Sequence, residues 1–176
     1  MAHIKVVRRS MRPEEWTDLR FGWLKRYIYG EKYEIEDLRV RDARQTAEMQ
    51  YEYYPEGWRN LRKGDMYFTP DGTAFFEADV TIPEHLRGKE LWFSLKTAAE
   101  IIVKVNGKYV GGVDPNRDRI LLTPYLNGAT ELHFEMEGYN RSKPDDERNP
   151  ESLSVRGCRQ IFEGAYLATI NHTVLD

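Results

Sequence analysis

From about Trp58 onward, apolar and polar residues alternate with a period of two. Phe76, Ala78, Val80 and Ile82 are interleaved with Glu77, Asp79 and Thr81. The same rhythm returns in Leu91, Phe93 and Leu95 against Trp92, Ser94 and Lys96, and in Ile101, Val103 and Val105 against Ile102, Lys104 and Asn106. It recurs in Leu132, Phe134 and Met136 against His133, Glu135 and Glu137, and in Tyr166, Ala168 and Ile170 against Leu167, Thr169 and Asn171. Successive side chains of a strand point to opposite faces, so each run predicts a strand with one buried and one wetter face. Turn signals separate the runs: Pro70-Asp71-Gly72, the stretch from Pro83 to Gly88, Asn106-Gly107 and Asn127-Gly128. Asn106-Gly107 is the strongest of them, because a type I′ hairpin turn needs positive φ at both central residues. No long helical pattern interrupts the region. It predicts a mostly β protein, an antiparallel β-sandwich or jelly roll.

The first 50 residues read differently. Trp16, Leu19, Trp23, Leu24, Tyr27 and Ile28 recur at steps of three and four, which places them on one helix face. Ser10 is a candidate cap, Pro13 suits a first turn, Glu14 and Glu15 suit the positive end of the helix dipole, and Gly30 is a candidate stop. Residues 35 to 49 are mixed and weakly periodic. The expected organisation is a short helical N-terminal segment, 1–50, followed by a sandwich, 51–176. Residues 139 to 157 form a long polar stretch, a loop of the length that is usually functional or mobile.

Composition narrows the function classes. With 40% hydrophobic and 31% charged residues in a chain of 176, intrinsic disorder is excluded. The 26 basic and 29 acidic residues leave a net charge of -3, without the basic bias of a nucleic-acid binder. No apolar run approaches the roughly 20 residues of a membrane span. The opening Met1 to Arg9 runs straight into charges, unlike an export leader, and Cys158 is the single cysteine. The expectation is a cytoplasmic setting without disulfides, nucleic acid or membrane.

Familiar catalytic motifs are missing: no phosphate loop, no paired cysteines, no His-Glu-x-x-His, no Gly-x-Ser-x-Gly. His3, His85, His133 and His172 are scattered, without metal-ligand spacing. Cys158 reads as a core thiol rather than a nucleophile. Asp145-Asp146-Glu147 reads as a solvated loop rather than a calcium site. A glycosidase pair of facing carboxylates is invisible to sequence spacing. The aromatics are more informative. Tyr51, Tyr53, Tyr54 and Trp58 crowd the junction between the two regions. Such rings either form platforms for the C–H face of a sugar or glue one element onto another.

Ile101 to Asp114, with its strand, Asn106-Gly107 turn and glycine-ended second strand, resembles an element of the galactose-binding-like jelly rolls beside many glycoside hydrolase domains. Leu91 to Leu95 looks like the strand before it. Gly111-Gly112-Val113-Asp114-Pro115-Asn116-Arg117, followed by Ile120-Leu121-Leu122, is similar to the N-terminal β-sandwich of glycoside hydrolase family 38 α-mannosidases. The segment Arg156-Gly157-Cys158 and the strand-like Ala165 to Ala168 fit the same order. The resemblance spans most of residues 58 to 170. It implies a non-catalytic domain that packs on a zinc-dependent α-mannosidase catalytic domain. That domain's His-x-His-x-Asp-like motif is absent from this chain, so zinc and the catalytic residues are expected elsewhere in a longer polypeptide. The chain is expected to be inactive alone, to hold no cofactor, and to have its own catalytic domain as partner. A mannose-containing oligosaccharide is a further partner this reading allows. Two alternatives stay open: an independent carbohydrate-binding module, and a structural or oligomerisation domain without ligand. The candidate carbohydrate- or domain-docking residues are Trp58, Asp114, Asn116, Arg117, Tyr139 and Asn140.

Overall fold

The computed structural model describes residues 12–24, 27–67, 72–97, 99–114, 116–139 and 160–175. Ser10, His3, Asn140, Cys158, Asp145-Asp146-Glu147 and most of the 139–157 loop lie outside them. Among the described residues thirteen strands form the fold: β1 (Tyr29–Glu34), β2 (Arg39–Ala47), β3 (Gln50–Tyr53), β4 (Arg59–Asn60), β5 (Met66–Tyr67), β6 (Thr73–Thr81) and β7 (Trp92–Leu95), then β8 (Glu100–Val105), β9 (Lys108–Val113), β10 (Arg119–Leu121), β11 (Glu131–Tyr139), β12 (Gln160–Ile161) and β13 (Ala165–Ile170). The larger sheet runs β3-β2-β6-β11-β8-β9, with β4 also paired to β2. The smaller runs β1-β13-β7-β10, and β12 pairs with β5 as a two-stranded piece. Every pairing is antiparallel. The expected mostly β sandwich is what the chain forms.

The alternation of the sequence becomes the core. Central strands β6 and β11 pair over their whole lengths, from Glu131 opposite Thr81 to Tyr139 opposite Thr73. Their inward residues Phe76, Ala78, Val80, Leu132, Phe134 and Met136 are buried, as are Ile101, Val103 and Val105 of β8. Phe93 on the smaller sheet meets Phe134 on the larger, with ring centroids 4.9 Å apart, so this pair joins the two layers. In β13 the inward phase is Ala165 and Leu167, and Ala168 is buried as well. The phase of Tyr166 and Ile170 is the half-buried one.

Of the helix expected over the first region, the described residues hold α1 (Pro13–Leu24). Arg12 precedes it: its carbonyl accepts from the Trp16 amide at 3.1 Å, and its own amide donates to Glu15 at 3.0 Å, half of a capping box. Pro13 takes the first helical position, as expected. Trp16, Trp23 and Leu24 remain exposed, so the expected apolar face is not covered by the described residues.

The chain therefore does not divide at residue 50. Residues 29–34 and 39–47 are strands of the two sheets, on either side of the core. Gly30 is no helix stop. It lies in β1 against Thr169, whose Oγ1 would stand 2.6 Å from a Cβ at this position. Tertiary pairing overrides local preference here. β1 is an edge strand with only its end residues partly covered, and β2 buries only Val40 and Ala43. Neither carries an alternation to read.

Candidate functional site

A trough crosses the outward face of the larger sheet. Strand pairing lays its residues in rows. One row runs Arg39, Glu77, Glu135, Lys104, Tyr109; the next runs Arg41, Phe75, Glu137, Ile102, Gly112. Two contiguous cavities of about 250 Å³ and 620 Å³ occupy the trough and share Ile102, Tyr109 and Glu137. Tyr53 and Trp58 wall one side, and Tyr109 walls the other. These rings are 44%, 40% and 65% exposed, high values for large aromatic side chains outside a core.

Each wall has a local cause. Tyr51 and Tyr53 sit on edge strand β3 and lean over Phe75, with ring centroids 4.9 and 5.6 Å away. Tyr51 Oη donates to Glu137, two strands beyond β2. The Arg41 guanidinium lies on the Tyr53 ring at 3.8 Å, and its Nε is buried without a hydrogen-bond partner among the described residues. Arg39 binds Glu77 at 2.8 Å and reaches toward Trp58, 6.0 Å from the ring. On the far side Lys104 lies over Tyr109 at 4.8 Å. A bulge puts Tyr109 there. Val103 pairs with Gly111 but Lys104 pairs with Tyr109, so β9 carries one extra residue. Tyr109 can then face outward while Val110 enters the core.

That bulge explains the Gly111-Gly112 pair. Gly111 has φ 145°, a conformation that favours glycine, and any Cβ at Gly112 would stand 3.1 Å from the Ile101 carbonyl oxygen.

Glu137 and burial together push the Tyr51 phenol from its usual 10.0 up to about 12, the hydrogen bond contributing most. A raised phenol value favours the neutral ring in the folded state. The resulting stabilisation is complete below pH 10.0 and fades as pH rises toward about 12. Alkaline absorbance titration of the wild type, minus that of Tyr51→Phe, isolates this group. Its midpoint is expected near pH 12; a midpoint at the ordinary tyrosine value would mean the bond to Glu137 does not form.

The sequence-derived residues divide. Trp58 lines the first cavity, and Asp114, Arg117 and Tyr139 line the second. Asn116 is exposed, and its amide donates to Asp114 Oδ1 at 2.7 Å. Asn140 lies outside the described residues. Two of the Arg117 donors, Nε and Nη2, meet Asp114 Oδ2 at 3.0 and 2.9 Å. Asp114 Oδ1 also accepts the Arg117 amide at 3.0 Å, and the two backbones bond reciprocally. The backbone amide of Asn116, foremost, and the Arg117 guanidinium hold the Asp114 carboxyl below its usual value. The stretch is a closed Asx-type turn, whose Asp and Arg satisfy each other.

Sequence reading missed Tyr109, Lys104, Glu135, Glu137 and Arg41 as trough residues. The signal was present in the outward phase of β8 and β11, but strand order was needed to bring them beside Tyr53. Of the crowded aromatics, Tyr51 and Tyr53 lean on Phe75 of the sheet. Among the described residues no group of three His, Cys, Asp or Glu side chains could hold a metal ion. No described helix is long and apolar enough to cross a membrane.

The fold and trough define a β-sandwich with a concave, aromatic-walled sheet face. No protein-family model matches the chain, and no curated protein matches it in sequence. Among solved structures it is similar to the β-glucuronidase of Ruminococcus gnavus, with TM-score 0.50 at 8% identity, over 81% of this chain and 29% of that one. A calcium-binding mutant of β-glucuronidase 2 from Bacteroides uniformis gives 0.48 at 16% identity, over 78% and 18%. A provisionally named β-galactosidase of Bacteroides fragilis gives 0.48 at 17%, over 78% and 23%. The chain thus spans less than a third of the length of each of these glycoside hydrolases, and the likeness is one of fold.

Proposed function

We propose that this chain is a non-catalytic β-sandwich module that accompanies a glycoside hydrolase catalytic domain. One observation carries the reading: most of this chain superposes on a minor part of a much longer β-glucuronidase. The module's contribution is a rigid two-layer body on which a neighbouring domain packs. The narrower assignment, to a family 38 α-mannosidase with zinc in its catalytic domain, draws its support from the resemblance carried by residues Gly111 through Arg117. Local geometry accounts for that stretch: a bulge, a close backbone approach and a closed turn. The three similar structures carry β-glucuronidase and β-galactosidase names, so the proposal is made for the glycosidase class and not for mannosides.

Two measurements test it. The pure chain is expected to release no chromophore from aryl β-glucuronides, β-galactosides or α-mannosides, with or without added zinc. Turnover that survives purification and heat-denaturation controls would overturn the non-catalytic role. Reading the gene on both sides of this segment is expected to reveal a glycosidase catalytic domain, in frame or adjacent. Its absence on both sides would overturn the association.

A further inference from the structure

We propose that the trough on the outward face of the larger sheet is a binding site for a neutral oligosaccharide. The inference goes beyond the module role and does not depend on a catalytic domain accompanying the sandwich.

Three observations converge on that chemistry. First, the exposed rings stand on opposite walls, Tyr53 and Trp58 facing Tyr109 across the sheet. From β3 to β9 the sheet has five inter-strand spacings, about 24 Å at roughly 4.8 Å each. Tyr51 and Tyr53 lean inward from β3 over Phe75, so the remaining gap is lined by aromatic surfaces on which the C–H faces of pyranose rings pack. Second, the floor between the walls sets polar groups among the apolar Phe75 and Ile102. Glu135 and Glu137 accept hydrogen bonds, and Arg41 and Lys104 donate them. A ligand with donors and acceptors at every ring carbon satisfies both kinds at once. A protein partner would have to bury these unlike charges with matched counter-charges, at a high desolvation cost for each mismatch. Third, the charge selects the class of sugar. The first cavity has three carboxylates, Glu77, Glu135 and Glu137, against Arg41, Lys104 and the Arg39 that pairs with Glu77. The second adds Glu100 and Asp114 against Arg117, which Asp114 already engages. An acidic saccharide would meet this excess of carboxylates as like charge, so the site takes neutral sugars even though two of the similar structures are glucuronidases.

The rings are held in place before any ligand arrives. Arg41 lies over Tyr53, Lys104 over Tyr109, and Tyr51 is tied to Glu137. Such preorganisation lowers the ordering entropy lost on binding.

The test uses the full chain in isothermal titration calorimetry. The probes are cellotetraose, mannotetraose and β-1,4-galactotetraose, with tetragalacturonic acid of equal length as the acidic control. At least one neutral tetrasaccharide is expected to bind, and the acidic one to bind more weakly or not at all. Tyr53→Ala and Tyr109→Ala are each expected to weaken the neutral ligand about tenfold. Thermal melting checks that each variant is folded. Because Tyr109 is 65% exposed, its truncation leaves the core intact. Tyr109→Phe keeps the ring and is expected to retain most of the affinity. No binding of any neutral tetrasaccharide at millimolar concentration would overturn the proposal. So would tighter binding of the acidic probe, or affinity unchanged in folded Tyr53→Ala and Tyr109→Ala.

Discussion

Replacing Phe134 by Ala is expected to destabilise the protein by about 3–5 kcal/mol, the range for a fully buried Phe cut back to a methyl group. Phe134 is wholly buried on the central strand β11 and touches Phe93 across the layers. Its removal leaves a cavity bordered by both sheets, and neither can close it without breaking a ladder. β11 is paired on both sides, to β6 and to β8, so its backbone cannot shift inward. For a chain of this size the melting temperature should fall by roughly 6–20 °C. Chemical denaturation gives the free energy directly. A loss below about 1 kcal/mol, far under the range for such a truncation, would show that Phe134 is not an inter-layer contact.

Gly107→Val carries the second large effect, about 1–3 kcal/mol, and it arises from backbone conformation alone. Asn106 and Gly107 have φ of 50° and 75°, both left-handed, as a two-residue I′ turn requires. A Cβ at Gly107 would meet no atom within 4 Å, so steric crowding from neighbours adds nothing. A β-branched residue resists positive φ strongly, whereas Asn tolerates it. Gly107→Asn should therefore lose much less. The turn is tied down from its other residue: Asn106 Oδ1 accepts the His133 amide at 2.8 Å, and Nδ2 donates to the Glu131 carbonyl at 3.2 Å. With the hairpin anchored to β11 in this way, the strain cannot relax by turning the loop outward. An unchanged melting temperature in Gly107→Val would refute the argument, and equal losses in the Val and Asn variants would assign the effect to something other than φ.

Phe134 and Gly107 owe their places to short-range rules that can be read along the chain. A strand buried on one face repeats its apolar residues at every second position, and a tight turn admits few residue types. The strands β6, β8 and β11, with the hairpin between β8 and β9, follow from these local rules. Edge strands lack that signature. Tyr29 to Glu34 is mostly exposed in β1 and reads as polar chain or helix, although it pairs with β13 at the far end of the sequence. The same holds for β2, which buries only Val40 and Ala43.

The site shows the division most sharply. Local chemistry was enough to place Asp114 and Arg117 in one turn, because an Asp side chain reaches amides two and three residues on. It was also enough to single out Tyr53 and Trp58 as unusual rings. It gave no hint that Tyr109, Lys104, Glu135 and Glu137 stand opposite them. Residues 53 and 109 share a trough only because β2, β6, β11 and β8 lie between their strands in the sheet, and because one extra residue in β9 turns Tyr109 outward. By itself the sequence determined the sandwich, the inward phase of its central strands and the tightest turns, since each depends on residues within a few positions of one another. Strand order, the bulge that orients Tyr109 and the meeting of the trough walls were decided by long-range pairing. That pairing is driven by the burial of two whole sheet faces at once, a property no short window of the chain contains.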